Sequence, residues 1–234
     1  MYNMRMELKV IARIKTDYAF KFGVPQQSGL AKTVAYIVFE KEYRAEGALR
    51  GIEGFDYLWL IWGFHKIEKS EDTWSPTVRP PRLGGNKRVG VFATRSPYRP
   101  NRIGLSCVKL LGVERTKENG EMLIVEGADM VDGTPIYDVK PYLTYCESHP
   151  EARQGFVDET PRSEPEITFA SGVKEKIASE KLSALIETLR ADPRPAYKKD
   201  GDRIYGFVFD NKNVRFTVTD GVLTVLSVSE IDNE

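Results

Sequence analysis

The chain has little cysteine and little histidine, and both shortages restrict its chemistry. Two cysteines among 234 residues, Cys107 and Cys146, cannot build a disulfide framework. There is no Cys-x-x-Cys and no neighbouring pair of histidines, so no metal is expected. We expect both cysteines to be buried thiols. His65 and His149 are the only histidines available for acid–base catalysis.

Long hydrophobic runs are also missing. The longest apolar run, at residues 57–64, is far shorter than the ~20 residues that a membrane-spanning helix needs. Near the start of the chain, Arg5, Glu7 and Lys9 stand where a signal peptide would need an apolar core. We therefore expect a cytoplasmic protein.

The usual signatures of nucleotide-binding and hydrolytic enzymes are absent as well. No G-x-G-x-x-G lies between a strand and a helix, and there is no G-x-x-x-x-G-K-[ST]. A Rossmann-type methyltransferase or dehydrogenase is therefore disfavoured. The sequence also lacks G-x-S-x-G, H-E-x-x-H and a convincing Ser-His-Asp set.

Charge is unevenly distributed, although the chain as a whole is neutral. Residues 79–115 contain nine basic residues against one acidic residue, a net charge of +8. Residues 147–166 contain six acidic and two basic residues, a net charge of −4. We therefore expect one basic and one acidic surface.

The basic segment contains the loop RSPYRPNR at residues 95–102, which lies between two apolar runs. Its two prolines restrict the backbone, so its arginines can be held ready for a carboxylate or a phosphate. The alternative is a solvated loop whose arginines pair with nearby carboxylates. Loops on rigid scaffolds often carry function, which favours a ligand-binding role.

Short apolar runs dominate the chain before the acidic segment. The run at residues 55–64 is continuous and typical of a strand buried on both faces. With irregular connections and little helix between them, the runs favour a mainly β domain, closed or sandwich-like, over a doubly wound α/β sheet. Strands are predicted at residues 8–14, 33–39, 55–64, 89–94, 103–111, 122–126 and 136–139.

Composition divides the chain into two domains. We predict a β domain at residues 1–148, a polar linker with three prolines at residues 149–166, and a small α+β domain at residues 167–234. In the last of these, apolar spacing predicts an amphipathic helix over residues 171–191 with Ser171 as its N-cap. An antiparallel sheet is expected to follow, with strands at residues 204–209, 214–218 and 222–228.

Five motifs form a recognisable set. The two longest are ATRSPYRPNRIGLS at residues 93–106 and DGTPIYDVKPY at residues 132–142. The shorter ones are PQQ at 25–27, FHK at 64–66 and DPRPAY at 192–197. Together they resemble the TsaA-like family, called TrmO and formerly YaeB, and the last resembles the C-terminal extension of its bacterial members. The resemblance covers nearly the entire chain.

This resemblance implies a tRNA methyltransferase that depends on S-adenosylmethionine. In that family a β-barrel domain without a Rossmann fold binds the cofactor, and the protein acts as a homodimer. The product is N6-methylated N6-threonylcarbamoyladenosine at tRNA position 37, beside the anticodon. Carried over motif by motif, the cofactor-binding residues are Gln26, Gln27, His65, Lys66, Arg95, Leu105, Asp132, Gly133, Thr134 and Pro135.

The side chains in these motifs suit S-adenosylmethionine. Arg95 suits its carboxylate, and Leu105 offers an apolar contact. Asp132, or the carbonyl groups of its turn, can accept hydrogen bonds from the ammonium or the hydroxyl groups of the cofactor. Asp138 and Tyr142 are the candidate catalytic proton acceptors, although Asp138 can equally pair with Lys140 or Arg99.

Basic residues of both domains are expected to contact the RNA. Arg99, Arg102, Arg194 and Lys198 are predicted to meet phosphates, and Tyr197 to stack on bases of the anticodon loop. Packing of Tyr197 against the preceding helix is the alternative. Further phosphate contacts are expected from Arg79, Arg82, Lys87, Arg88 and Lys199.

Two other functions stay open at this stage. One is a non-catalytic RNA-binding module, in which the basic loop binds phosphate groups and no cofactor is used. The other is a β-barrel enzyme that methylates a small molecule.

Overall fold

The computed structural model describes residues 7–45, 47–67, 74–160, 164–194 and 203–231. The part before the acidic segment consists mainly of strands, with single turns of 3-10 helix at Lys41–Tyr43, Ile52–Gly54, Pro81–Leu83 and Val91–Ala93. The strands are β1 (Ala12–Lys15), β2 (Val34–Phe39), β3 (Tyr57–Gly63), β4 (Thr77–Val78), β5 (Val89–Gly90), β6 (Ile103–Thr116), β7 (Gly120–Glu126) and β8 (Pro135–Pro141).

Six of these strands form a closed barrel in the order β1-β2-β7-β6-β3-β8, and β8 returns to pair with β1. All neighbouring strands of the barrel are antiparallel, and β4 and β5 form a separate two-stranded ribbon. The mainly β prediction is confirmed. Side chains alternate between the two faces, and the barrel core includes the inward residues Ile14, Ile37, Leu58, Leu60, Leu123, Val125 and Ile136.

Three strand predictions need correction. The strand predicted at residues 8–14 begins only at Ala12 and ends at Lys15. β3 is not buried on both faces, because Leu58 and Leu60 point inward whereas Tyr57, Trp59 and Ile61 lie on the outer wall of the barrel. The strand predicted at residues 89–94 ends at Gly90, where the backbone turns into the 3-10 helix Val91–Ala93.

Three loops meet at one end of the barrel. Because neighbouring strands are antiparallel, the connections from β1 to β2, from β3 to β6 and from β7 to β8 all leave the barrel at the same end. They comprise residues 16–33, 64–102 and 127–134. We call this end the barrel mouth.

The C-terminal unit is a mixed sheet with one helix. Its strands β9 (Glu166–Phe169), β10 (Tyr205–Phe209), β11 (Lys212–Thr219) and β12 (Val222–Glu230) are arranged in the order β10-β11-β12-β9. The predicted strands are present, but β9 was missed, and it pairs parallel to β12. Glu166, assigned above to the linker, is therefore the first residue of a strand.

The helices are short. The first, α1, covers Thr144–Glu147, and α2 covers Ser179–Arg190. The predicted start of α2 is wrong, because the extended backbone of Ile177 and Ala178 separates it from the 3-10 turn at Lys174–Lys176. Ala178, not Ser171, is the N-cap, and it caps without a side-chain hydrogen bond. Within the described residues, neither helix is long and apolar enough to cross a membrane.

Tyr18, in the 16–33 loop, joins that loop to the C-terminal unit. Its ring is fully buried in the second hydrophobic core and meets Phe209 edge-on at 5.9 Å. Its hydroxyl lies 2.9 Å from Oγ1 of Thr188 in α2, and burial raises the pKa of Tyr18 to about 12.

Charged groups support the same loop. The Nζ of Lys181 donates to both carboxylate oxygens of Asp17, at 2.8 and 2.6 Å. The backbone N–H of Lys32 donates to Oε2 of Glu187 over 2.6 Å. The loop that carries Gln26 and Gln27 is therefore anchored to the C-terminal unit at both of its ends.

The cysteines differ from expectation. Cys107 lies half-buried on β6, and burial raises the pKa of its thiol, with the negative charge of Glu147 adding to the effect. Cys146 is exposed, so the prediction that it is buried is wrong. It belongs to α1, a surface turn without buried residues.

Candidate functional site at the barrel mouth

Predicted cofactor-binding residues from all three loops are linked at the barrel mouth. A guanidinium N–H of Arg95 donates to Oε1 of Gln27, across the 64–102 and 16–33 loops. The Nζ of Lys66 donates to the carbonyl of Ala19 over 3.0 Å. Residues that are far apart in sequence thus form one connected surface.

The turn at residues 132–135 is held tightly against the end of β1. The N–H of Gly133, which has a positive φ of 77°, donates to the carbonyl of Ile14 over 2.9 Å. One carboxylate oxygen of Asp132 accepts the N–H of Thr16 at 3.0 Å, and Arg13 donates to the carbonyl of Gly133 at 3.2 Å. The turn therefore presents a fixed set of polar groups at the mouth.

His65 faces the same turn. The hydroxyl of Thr134 donates to the carbonyl of Val131 over 2.6 Å and lies 3.4 Å from Nδ1 of His65. Since that hydroxyl has one proton, Nδ1–H of His65 is the donor in the second contact, which leaves Nε2 as an acceptor. Burial lowers the pKa of His65, and the charges of Lys66 and Arg13 add to this, against a smaller opposing effect of Asp132. The imidazole is neutral at neutral pH.

The sequence reasoning missed Asp129. Trp62 Nε1–H donates to Oγ of Ser106 over 2.9 Å, and that hydroxyl donates to Oδ1 of Asp129 over 2.5 Å. Ser106 and Trp62 are buried inside the barrel, so this chain leads from the core to the mouth.

The carboxyl group of Asp129 has a perturbed pKa. Burial raises this pKa, whereas the hydrogen bonds from Ser106 and from the backbone of Ser28, together with the positive charge of Arg95, oppose the rise. One sequence signal could have revealed the residue: Asp129 is an acidic residue between the apolar residues Ala128 and Met130, both of which are buried.

Three predicted site residues lie away from the mouth, on the outer wall. Leu105 on β6 and Asp138 on β8 flank Ile61 of β3 from opposite sides. Asp138 pairs with Lys140 at 2.9 Å, one of the alternatives considered above. The ring of Tyr142 is 5.9 Å from that of Trp59 on the same wall.

The predicted RNA contacts are only partly described. Arg99 directs its guanidinium at backbone carbonyls of its own loop, with Nε donating to Ser96 over 2.8 Å. Arg194 donates to both carboxylate oxygens of Asp192 at 2.9 Å, and this interaction raises the pKa of Arg194. Arg102 directly precedes β6, and its carbonyl accepts the N–H of Phe64. Tyr197, Lys198 and Lys199 lie outside the described residues.

Comparison with known families matches both parts of the chain. Residues 13–148 match the family described as the tRNA-methyltransferase O N-terminal domain. Residues 164–231 match the TrmO C-terminal domain.

Individual relatives give the same picture. The tRNA (adenine(37)-N6)-methyltransferase of Escherichia coli (strain K12) is 39% identical over 231 residues, which cover 95% of this chain and 97% of the relative. A Methanothermobacter thermautotrophicus protein named "Probable S-adenosyl-L-methionine-binding protein" is 31% identical over 148 residues, 63% of this chain and 98% of the relative. The crystal structure of TrmO from Pseudomonas aeruginosa superimposes with a TM-score of 0.76 at 25% identity, covering 97% of this chain and 99% of that one.

Proposed function

Because the chain belongs to the tRNA-methyltransferase O family, we propose that it uses S-adenosylmethionine to methylate N6 of the adenosine at position 37 of tRNA. The form of that nucleoside that we propose as substrate is N6-threonylcarbamoyladenosine in the anticodon loop, and we propose that the enzyme acts in the cytoplasm. One observation carries the proposal: predicted cofactor-binding residues of all three loops meet at the barrel mouth. Arg95 contacts Gln27 of the 16–33 loop, and His65 contacts the 132–135 turn.

The chemistry of the mouth fits S-adenosylmethionine. Arg95 is exposed and offers a rigid fork of N–H donors for the carboxylate of the amino acid part. Asp132 and the carbonyl groups of its turn are acceptors for the ammonium. Gln26 and Gln27 supply donors and acceptors of the kind that an adenine needs. His65 offers an acceptor only, Nε2, because its Nδ1–H is directed at Thr134. The other predicted cofactor-binding residues at the mouth shape the turn and its surroundings; they are Lys66, Gly133, Thr134 and Pro135.

When bound, S-adenosylmethionine supplies a methyl group that its sulfonium charge has already activated. The protein's main task is then to hold the target nitrogen in line with that group and to exclude water. The nitrogen loses one proton as it gains the methyl group, so a proton acceptor is needed. Within one subunit, Nε2 of His65 is better placed than Asp138 or Tyr142, because it belongs to the mouth and they belong to the outer wall.

We further propose a homodimer that forms through the outer wall of β3, β6 and β8. This wall exposes a set of apolar side chains in which Leu105 is more than half exposed. We propose that in this dimer the wall residues Leu105, Asp138 and Tyr142 belong to the contact between subunits, which gives them a role although they lie outside the mouth of their own barrel. Sedimentation should then give twice the 26.5 kDa of one chain.

The decisive experiment combines binding and product analysis. Calorimetry should detect binding of S-adenosylmethionine, and mass spectrometry of tRNA treated with the enzyme should detect one added methyl group on the position-37 nucleoside. Failure to bind the cofactor, with RNA present as well, would favour the RNA-binding module. Cofactor binding without any change in tRNA would favour a small-molecule methyltransferase.

A further inference from the structure

Two large aromatic side chains on the 64–102 loop point into solvent side by side. Trp74 is 48% exposed and Phe92 is 76% exposed. Their rings are stacked, with centroids 6.3 Å apart and planes inclined by 26°. A stacked pair of exposed rings offers a flat apolar surface of the size of a nucleobase.

The backbone that follows Trp74 and the turn that carries Phe92 are fixed. β4 and β5 hold the two segments together, and Val91, which is buried, donates its N–H to the carbonyl of Pro76 over 3.0 Å. The N–H of Ser75, next to Trp74, donates to the carbonyl of Tyr98 over 3.3 Å. Residues 75–78 and 89–94 therefore form a hydrogen-bonded support from which the two rings project.

Arg99 contributes to this support. Its Nη2 donates to the carbonyls of Val91 and Thr94, which lie on either side of Phe92 in the sequence. Arg99 thus fixes the turn that carries Phe92, a role that differs from the phosphate contact predicted from sequence.

The electrostatic surroundings indicate what binds there. Residues 74–102 contain seven arginines and lysines and no aspartate or glutamate. Arg79, Lys87 and Arg88, which belong to or adjoin the β4–β5 ribbon, are exposed. An apolar protein partner would not select for so many cations, whereas an RNA needs both cations for its phosphates and flat rings for its unpaired bases.

We propose that Trp74 and Phe92 form a stacking platform for an unpaired nucleobase of the RNA substrate, with the exposed cations beside them on its phosphates. The proposal rests on the proposed function, since it takes the RNA to be the anticodon loop whose adenosine enters the mouth. It adds a base-binding site on the same loop that carries Arg95.

The test uses the full chain and a synthetic anticodon stem-loop that carries N6-threonylcarbamoyladenosine. The variant Phe92→Leu keeps the apolar bulk and removes the ring. It should weaken RNA binding by about fivefold to a hundredfold, the range that loss of a base–aromatic stack produces. Because stacking releases no counterions, the slope of log affinity against log salt concentration should not change in Phe92→Leu. Lys87→Ala should lower the magnitude of that slope by about 1. Trp74→Leu provides a second, independent variant.

The matched control is Tyr36→Leu, which removes an exposed ring from the outer face of β2 and should leave RNA affinity unchanged. Cofactor binding should be unchanged in Phe92→Leu. Wild-type affinity for the stem-loop in both platform variants would overturn the platform and leave the proposed function intact. Loss of self-association in Phe92→Leu without loss of RNA affinity would show that Phe92 lies in a contact between subunits, and it would also overturn the platform. A wild-type protein that binds neither cofactor nor stem-loop would overturn the proposed function itself, and the platform with it.

Discussion

The hydroxyl of Ser106 donates a hydrogen bond of 2.5 Å to the carboxylate of Asp129, and this bond joins the interior of the barrel to its mouth. Ser106 is one of few buried polar side chains among the described residues, and it is satisfied on its other side by Trp62. The ring of Trp62 in turn covers Gly104, where a Cβ atom would lie 2.2 Å from it. The core of β3 and β6 therefore orients the carboxyl group of Asp129, on whose pKa the positive charge of Arg95 acts.

Asp129→Asn should change how stability depends on pH. Burial raises the pKa of Asp129 above its ordinary value of 3.8, so the folded chain binds this proton more tightly than the unfolded chain. The wild type therefore loses stability as pH rises through the folded pKa, and the neutral Asn variant does not. Denaturant unfolding from about pH 4 to about pH 8 should show the variant gaining stability relative to wild type. A relative loss with rising pH would mean that Arg95 dominates.

Arg95→Ala should weaken binding of S-adenosylmethionine by about tenfold or more, because it removes a charge-assisted contact to the carboxylate. Arg95 is exposed, so the free energy of unfolding should stay close to that of wild type. Arg88→Ala is the matched control, since this exposed arginine donates to Thr77 within the same loop. Calorimetry and thermal unfolding measure the two quantities. An equal loss of stability and of affinity would show that Arg95 is a structural residue.

His65 should titrate below its ordinary pKa of 6.5. A lowered pKa means that the folded chain favours the neutral ring, so the associated stability is present above pH 6.5 and is lost as pH falls through the folded pKa. The chain has two histidines, so a proton NMR titration follows two Hε1 signals, and His149→Gln assigns them. A midpoint for His65 above 6.5 would instead indicate that the carboxylate of Asp132 controls the ring.

Lys181→Met should destabilise the protein and also weaken cofactor binding. The side chains of Lys181 and Asp17 are 28% and 14% exposed, and removal of the cation leaves a largely buried carboxylate without its partner, at a cost of about 1–3 kcal/mol. Cofactor affinity should fall because Asp17 anchors the loop that carries Gln27.

The control for this prediction is Lys212→Met. Lys212 is also 28% exposed, but its partners Glu230 and the carbonyl of Lys176 both belong to the C-terminal unit. It should lower stability without a change in cofactor affinity. Equal effects of the two variants on affinity would show that the C-terminal unit does not support the loop.

Much of the fold could be predicted from period-2 patterns, because a strand with one buried face must alternate. The error at β3 has the same origin: Trp59 and Ile61 are apolar but lie on the outer wall, and composition cannot tell an apolar outer wall from a second buried face. β9 was missed because its four residues follow a proline-containing polar segment and pair with a strand more than fifty residues later. A parallel partner at that distance leaves no local signal.

The candidate site also has residues that the sequence reveals and residues that only the structure reveals. The motif residues Gln27, His65, Arg95 and Asp132 are recognisable in the chain, and they meet at the mouth. Asp129 was missed because its importance depends on burial and on a bond to Ser106, which is 23 residues away. The exposed pair of Trp74 and Phe92 was missed because sequence does not show which aromatic residues fail to reach a core.

The sequence by itself determined the alternation of the strands, the family motifs and the separation of basic from acidic segments, because each of these depends on neighbouring residues. The tertiary structure alone decided which strand ends share the mouth, because antiparallel closure of the barrel places three distant loops side by side. It also decided that Leu105 and Asp138 face outward, and that burial shifts the pKa values of Asp129 and His65. Those properties depend on which groups surround a residue in space, and a local sequence pattern does not contain that information.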